Sequence, residues 1–117
     1  MWKRIAFAGL TLIVLALLAS CGGGDSIARA REGILRQNLF TLRALIDQYT
    51  TDLHRRPQSL ADLVAVGYIK QLPADPMTGR SDTWVLEFSS DPKMPGIANV
   101  RSAARAISSN GTAYSDW

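Results

Sequence analysis

The sequence predicts an α+β domain built on one long N-terminal amphipathic helix and carried behind a signal peptide. Three observations predict it. A charge-free apolar segment, Ile5 to Gly24, follows Lys3 and Arg4 and contains the chain's one cysteine, Cys21. A stripe of apolar residues at three- and four-residue steps then runs from Ile27 to Leu53. Beyond it come a β-branched and aromatic run, Thr83 to Phe88, and an Asn110-Gly111 turn signal. At 117 residues the chain has room for one domain besides a targeting segment.

The N-terminus reads as a basic n-region, an apolar h-region and a small-residue end, which together make a secretory signal peptide. A transmembrane helix needs about 20 predominantly apolar residues. The apolar part here ends near Ser20, and Gly22-Gly23-Gly24 would unwind a helix at that point. Leu18-Ala19-Ser20-Cys21 has the pattern of a bacterial lipobox: a branched apolar residue, two small residues, then cysteine. The chemistry is consistent with that pattern. The thiol must reach a lipid donor at the membrane surface, and small residues ahead of it let a peptidase close around the backbone. The expectation is cleavage between Ser20 and Cys21 and lipidation of Cys21. Residues 1–20 are then a lipoprotein signal peptide, 21–26 a lipid-anchored flexible tether, and 27–117 the globular domain. Gly22, rather than Asp, after the cysteine points to the outer membrane, facing the periplasm, by the usual proteobacterial sorting rule.

The long helix comes after the tether. Ile27, Ala30, Ile34, Leu35, Leu39, Leu42, Leu45, Ile46, Tyr49 and Leu53 form the stripe, and Arg29, Arg31, Glu32, Arg36, Gln37, Arg43, Asp47 and Gln48 fall mostly off it. Gly33 is its one interior glycine, and Pro57 ends it. Ser59-Leu60-Ala61-Asp62 reads as a capping box that opens a short helix to about Val66, with Gly67 at the C′ position. Tyr68 to Asp82, rich in Pro, Gly and Asp, is an ordered loop. Thr83 to Phe88 is a strand, and Ile97 to about Ala103 a weaker second one. Ala106-Ile107-Ser108 and Thr112-Ala113-Tyr114, on either side of Asn110-Gly111, predict a terminal hairpin.

Charge and composition argue against several functions. Loss of Lys3 and Arg4 lowers the 13 basic residues to 11 against 10 acidic ones, so the net charge falls from +3 to +1 and no nucleic-acid footprint remains. His54, Ser59 and Asp62 are close in sequence, but no nucleophile elbow or oxyanion element accompanies them. One histidine and one committed cysteine do not make a zinc site, and no phosphate-binding glycine loop is present. Trp84 and Trp117 read as packing residues. No catalytic or metal-ligating residue is expected, and the chain is not read as an enzyme.

The runs "REGILRQNLFTLRALIDQYTTD", "RRPQSLADLVAVGYI" and "LPADPMTGRSDTW" resemble the type II secretion major pseudopilin (protein G) family. The shared features are Arg31-Glu32, Asn38-Leu39, Leu42-Arg43, Ile46 through Tyr49, Pro57 with Ser59-Leu60, Leu63 with Gly67-Tyr68, Pro73 with Asp75-Pro76 and Gly79, and the closing Asp116-Trp117. The resemblance implies a pilin-like fold, in which the long helix packs on a small antiparallel sheet. It also implies a structural or assembly role in type II secretion or a related type IV pilus-like system, with other pseudopilins or secretion components as partners. Gly9-Leu10-Thr11-Leu12-Ile13-Val14 echoes the family's N-terminus, with Leu10 where the family has an aromatic residue and Val14 where it has a glutamate. Cleavage after Gly9 would give an ordinary inner-membrane pseudopilin. The runner-up expectation, ahead of processing at Gly9, is a lipid-anchored periplasmic binding module that reuses the fold. The family binds calcium in its C-terminal loops, and calcium takes 6 to 8 oxygens. After Asp91 this chain offers Asp116, Asn99 and Asn110. Calcium is therefore only weakly implied by the resemblance, and no other cofactor is expected.

Overall fold

Helix α1, Gly24–Leu53, is the element around which the domain is built. The structure is a computed structural model and describes residues 24–117. Gly9, Ser20 and Cys21, and the signal peptide expected over 1–20, lie outside the described residues. α1 takes in Gly24 to Ser26, the end of the expected tether. Among the described residues no helix is long and apolar enough to cross a membrane.

The stripe on α1 divides into two. Leu35, Leu39, Leu42, Ile46 and Tyr49 are buried. They pack with Leu60, Leu63, Trp84, Ile97, Val100 and Tyr114 into one core. Ile27 and Ile34 stay 56% and 52% exposed, and Ala30 is exposed too. The reason is angular. At 100° per residue Ile27 and Ile34 lie roughly a quarter turn from the line through Leu35, Leu42 and Ile46. The expected single stripe is therefore an inner seam plus a flank.

His54 leaves the helix with φ 55°, and the chain turns through Pro57 into a second short helix, α2, Ala61–Ala65. Half of the expected capping box forms. The Asp62 carboxylate accepts the Gln58 N–H at 2.8 Å and the Ser59 N–H at 3.4 Å. The Ser59 hydroxyl does not cap. It donates to Asp62 at 3.4 Å, because α2 starts one residue late, with Leu60 in the N-cap position and already helical. The C-terminal end matches expectation. Gly67 takes φ 83°, its N–H donates to the Val64 carbonyl, and the Tyr68 N–H donates to that of Leu63. This is a Schellman closure, whose left-handed residue favours glycine.

The sheet has two antiparallel strands, β1, Val85–Phe88, and β2, Ile97–Arg101. Val85 faces Arg101, Leu86 faces Val100, Glu87 faces Asn99, and the register shifts before Phe88 meets Ile97. The extra residue, Ala98, is a bulge. It resets the alternation, so Ile97 and Val100 are both buried beneath α1. The terminal hairpin shrinks to one bridge, Ile107 to Ala113, around the Asn110-Gly111 turn. Its expected second strand is cut short by a 3₁₀ turn, Tyr114–Asp116. The cause is tertiary: Tyr114 and Trp117 are drawn back onto α1.

Candidate functional site

The side chains that carry the most long-range polar contacts join α1 to the C-terminal segment. Glu32, placed off the apolar stripe by its charge, is only 5% exposed. The Ser109 N–H donates to its Oε1 at 2.8 Å, the Ser109 hydroxyl to its Oε2 at 2.6 Å, and the Tyr114 hydroxyl to its Oε1 at 2.8 Å. The Ser109 bonds hold its carboxyl below the ordinary glutamate range, with Arg36 one turn away adding attraction. The same contact raises the Tyr114 phenol.

Arg43 makes the second tie. Its Nε donates to Asn99 Oδ1 at 2.7 Å, and its Nη2 donates to the carbonyls of Val100 at 2.9 Å and Trp117 at 2.6 Å. One guanidinium thus links the helix, β2 and the terminal segment, which suits its planar fork of donors. Burial pulls its pKa down, with Arg101 acting in the same direction and Glu87 against it. Trp117, expected to pack, lies edge-on to Tyr114 at 5.2 Å, and the Arg36 guanidinium sits 4.3 Å above its ring.

Between α1 and this segment runs an open groove of about 610 Å³. Leu39, Phe40 and Ala44 line it together with Trp117, and Arg36 and Asp47 also border it. Phe40 is 70% exposed. A second buried polar knot lies under the loop after α2. The Asp75 carboxylate accepts the Met77 N–H at 2.8 Å and the Ser102 hydroxyl at 2.5 Å, and both Asp75 and Ser102 are buried. Trp84 closes the same loop by donating Nε1–H to the Pro73 carbonyl at 2.9 Å.

The residues weighed for hydrolysis do not converge. His54 is exposed beyond the end of α1, while Ser59 and Asp62 are bonded to each other and to nearby backbone. Of the side chains considered for calcium, Asn99 and Asn110 are already engaged. Asn99 Oδ1 accepts from Arg43, and Asn110 Oδ1 accepts the Thr112 hydroxyl. Among the described residues no group of three or more His, Cys, Asp or Glu side chains comes together. Glu32 and Arg43 were missed as site residues because their partners lie 56 to 82 positions further along the chain. The signal available was their place in the Arg31-Glu32 and Leu42-Arg43 pairs.

The Glu32 tie has a pH signature. Its folded-state pKa lies below the unfolded value, so the folded chain binds fewer protons there. The stability it provides is complete above the unfolded carboxyl range and is lost as pH falls through the lowered value. Glu87 and Asp82, lowered mainly by their bonds to Arg101 and Arg80, act with the same sign. A difference measurement isolates Glu32: the gap in Tm between the parent chain and Glu32→Gln should be open at pH 7 and narrow as pH falls below the ordinary carboxyl range. A gap independent of pH in thermal scans would show that the carboxylate charge is not what holds the segment.

Comparison with family models, with curated proteins and with solved structures finds no match to this chain.

Proposed function

We propose that the chain is a pseudopilin-like lipoprotein with a structural or assembly role in type II secretion or a related pilus-like system. The observation that carries this reading is α1 itself. Its C-terminal part is sunk into a small antiparallel sheet, while Ile27 and Ile34 on its N-terminal turns remain exposed. That layout is compatible with a pilin-like subunit. Further support comes from residues the resemblance rests on. Arg43 and Asp75 hold the loops to the core, as Glu32 and Trp117 hold the C-terminal segment to α1. The anchor rests on Leu18-Ala19-Ser20-Cys21.

The anchor is tested first. Acyl chains contribute about 0.8 kcal/mol per buried CH₂, and one chain alone is marginal. Cys21→Ala should release the protein from membranes or stall the precursor, read by fractionation and intact mass. An unchanged mature mass in that variant would sink the anchor, and a mature chain that begins after Gly9 would make this an ordinary pseudopilin. The role is tested by site-specific crosslinking from Ile27 and Ile34 in the producing cell. Arg43 is unsuited as a probe site because it is engaged with β2. Capture of a pseudopilin or another secretion component is expected. Capture of neither, with secretion intact in a deletion strain, would favour the lipid-anchored binding module, the reading to which the open groove beside Phe40 lends weight.

A further inference from the structure

The groove beside α1 carries an inference that stands apart from the secretion reading. Arg36, Phe40, Ala44 and Asp47 occupy one exposed side of the helix. Their order is a cation, a large apolar residue, a small apolar residue and an anion. Arg36 and Asp47 are eleven positions apart, about 16 Å along the axis. Phe40 and Ala44 lie between them, one turn apart. Among the described residues neither Arg36 nor Asp47 belongs to an ion pair. The Trp117 ring holds the Arg36 guanidinium at the rim.

We infer that this face pairs with a second copy of the chain, helix against helix and antiparallel, about a two-fold axis midway between Arg36 and Asp47. Under that rotation Arg36 of each copy falls opposite Asp47 of the other, and the exposed Phe40 ring falls level with position 43, about 1.5 Å along the axis from the small Ala44. The pattern is complementary to itself in both charge and size, as a two-fold interface requires. A parallel pairing would set Arg36 on Arg36 and Phe40 on Phe40, so like charges select against it. The contact spans about three turns of helix, at the small end for a stable interface, so the dimer is weak and reversible. The axis, at right angles to both helices, puts the two N-termini at opposite ends of the pair but at equal height along the axis, so both can meet one surface with α1 lying along it. Two copies held on one membrane can therefore still pair, at a raised effective concentration.

Charge reversal on the full chain in mild detergent tests the pairing, with molecular mass followed by sedimentation up to about 100 μM, where a weak dimer is populated. The parent chain should sediment as a dimer. Arg36→Asp and Asp47→Arg should each weaken association roughly tenfold or more, since each places like charges together twice per dimer. The double variant Arg36→Asp/Asp47→Arg should restore it. Phe40→Asp, at an exposed position, should abolish the dimer with little change in Tm. A parent chain that stays monomeric, single reversals that associate as well as the parent, a double variant that fails to recover, or a ladder of larger multimers would each overturn the antiparallel pair.

Discussion

Leu42→Ala should lower the stability of the 26–117 fragment by about 2–5 kcal/mol, the range for truncating a buried leucine. Leu42 is fully buried at the centre of the inner seam, among residues of α1 and β2. The truncation removes apolar transfer energy and leaves a cavity that a rigid helix above a bulged strand cannot collapse to fill. A small domain is stable by only ~5–15 kcal/mol, so the change should be plain in Tm and in the denaturant midpoint. Arg36→Ala is the contrast. It loses one exposed contact over the Trp117 ring, worth about 0.5–1 kcal/mol. Equal and small effects would mean that the seam faces a partner rather than the sheet.

Gly96→Ala should cost about 3–5 kcal/mol, as backbone strain and a steric clash add. Gly96 has φ 129°, where a side chain is strained whatever the space. The space is also closed: a Cβ there would lie 2.8 Å from the Pro57 carbonyl oxygen, from Arg56 Cβ and from Gln58 Nε2. Two of those neighbours cannot swing aside. The approach is needed because the Ile97 N–H donates to the Pro57 carbonyl at 2.8 Å, and the Gly96 carbonyl accepts the Ser89 N–H at 2.8 Å. Those bonds fasten the start of β2 both to the α1–α2 turn and to the loop before it. Gly33→Ala supplies the control. It sits inside α1 with nothing near its Cβ position, and the exchange should stabilise by ~0.5–1 kcal/mol. Chemical denaturation of the two variants side by side should therefore give shifts of opposite sign. A tolerated Gly96→Ala would mean that the two loops are not in contact in solution.

Features set by neighbours in sequence were legible before the fold was known. The period of α1, the stop at Pro57, the left-handed Gly67 and the positions of both strands come from local geometry and conformational preference. Angle was the first thing that periodicity blurred. A set of apolar residues at three- and four-residue steps drifts around a helix with 3.6 residues per turn, and it swept Ile27 and Ile34 into a face they do not share. Polarity misled at Glu32. A carboxylate reads as solvated until the donors that satisfy it are known, and Ser109 and Tyr114 lie at the other end of the chain. Asp75 is buried for a similar reason, through the Ser102 hydroxyl just past β2. The Asn110-Gly111 turn was correctly placed. Its second strand gave way because Tyr114 bonds Glu32 on α1 instead of continuing the ladder.

The ties from Glu32 and Arg43 to the last residues also set when the chain can finish folding. Contacts that span 74 to 82 residues cannot form until Ser109, Tyr114 and Trp117 have been made. At about 5–20 residues per second, α1 waits several seconds after its own synthesis for the partners that bury its polar flank. High sequence separation slows the final search as well, because loop closure precedes the reward. The polar flank of α1 is therefore among the last parts of this domain to be satisfied, after the core seam beneath it has its partners.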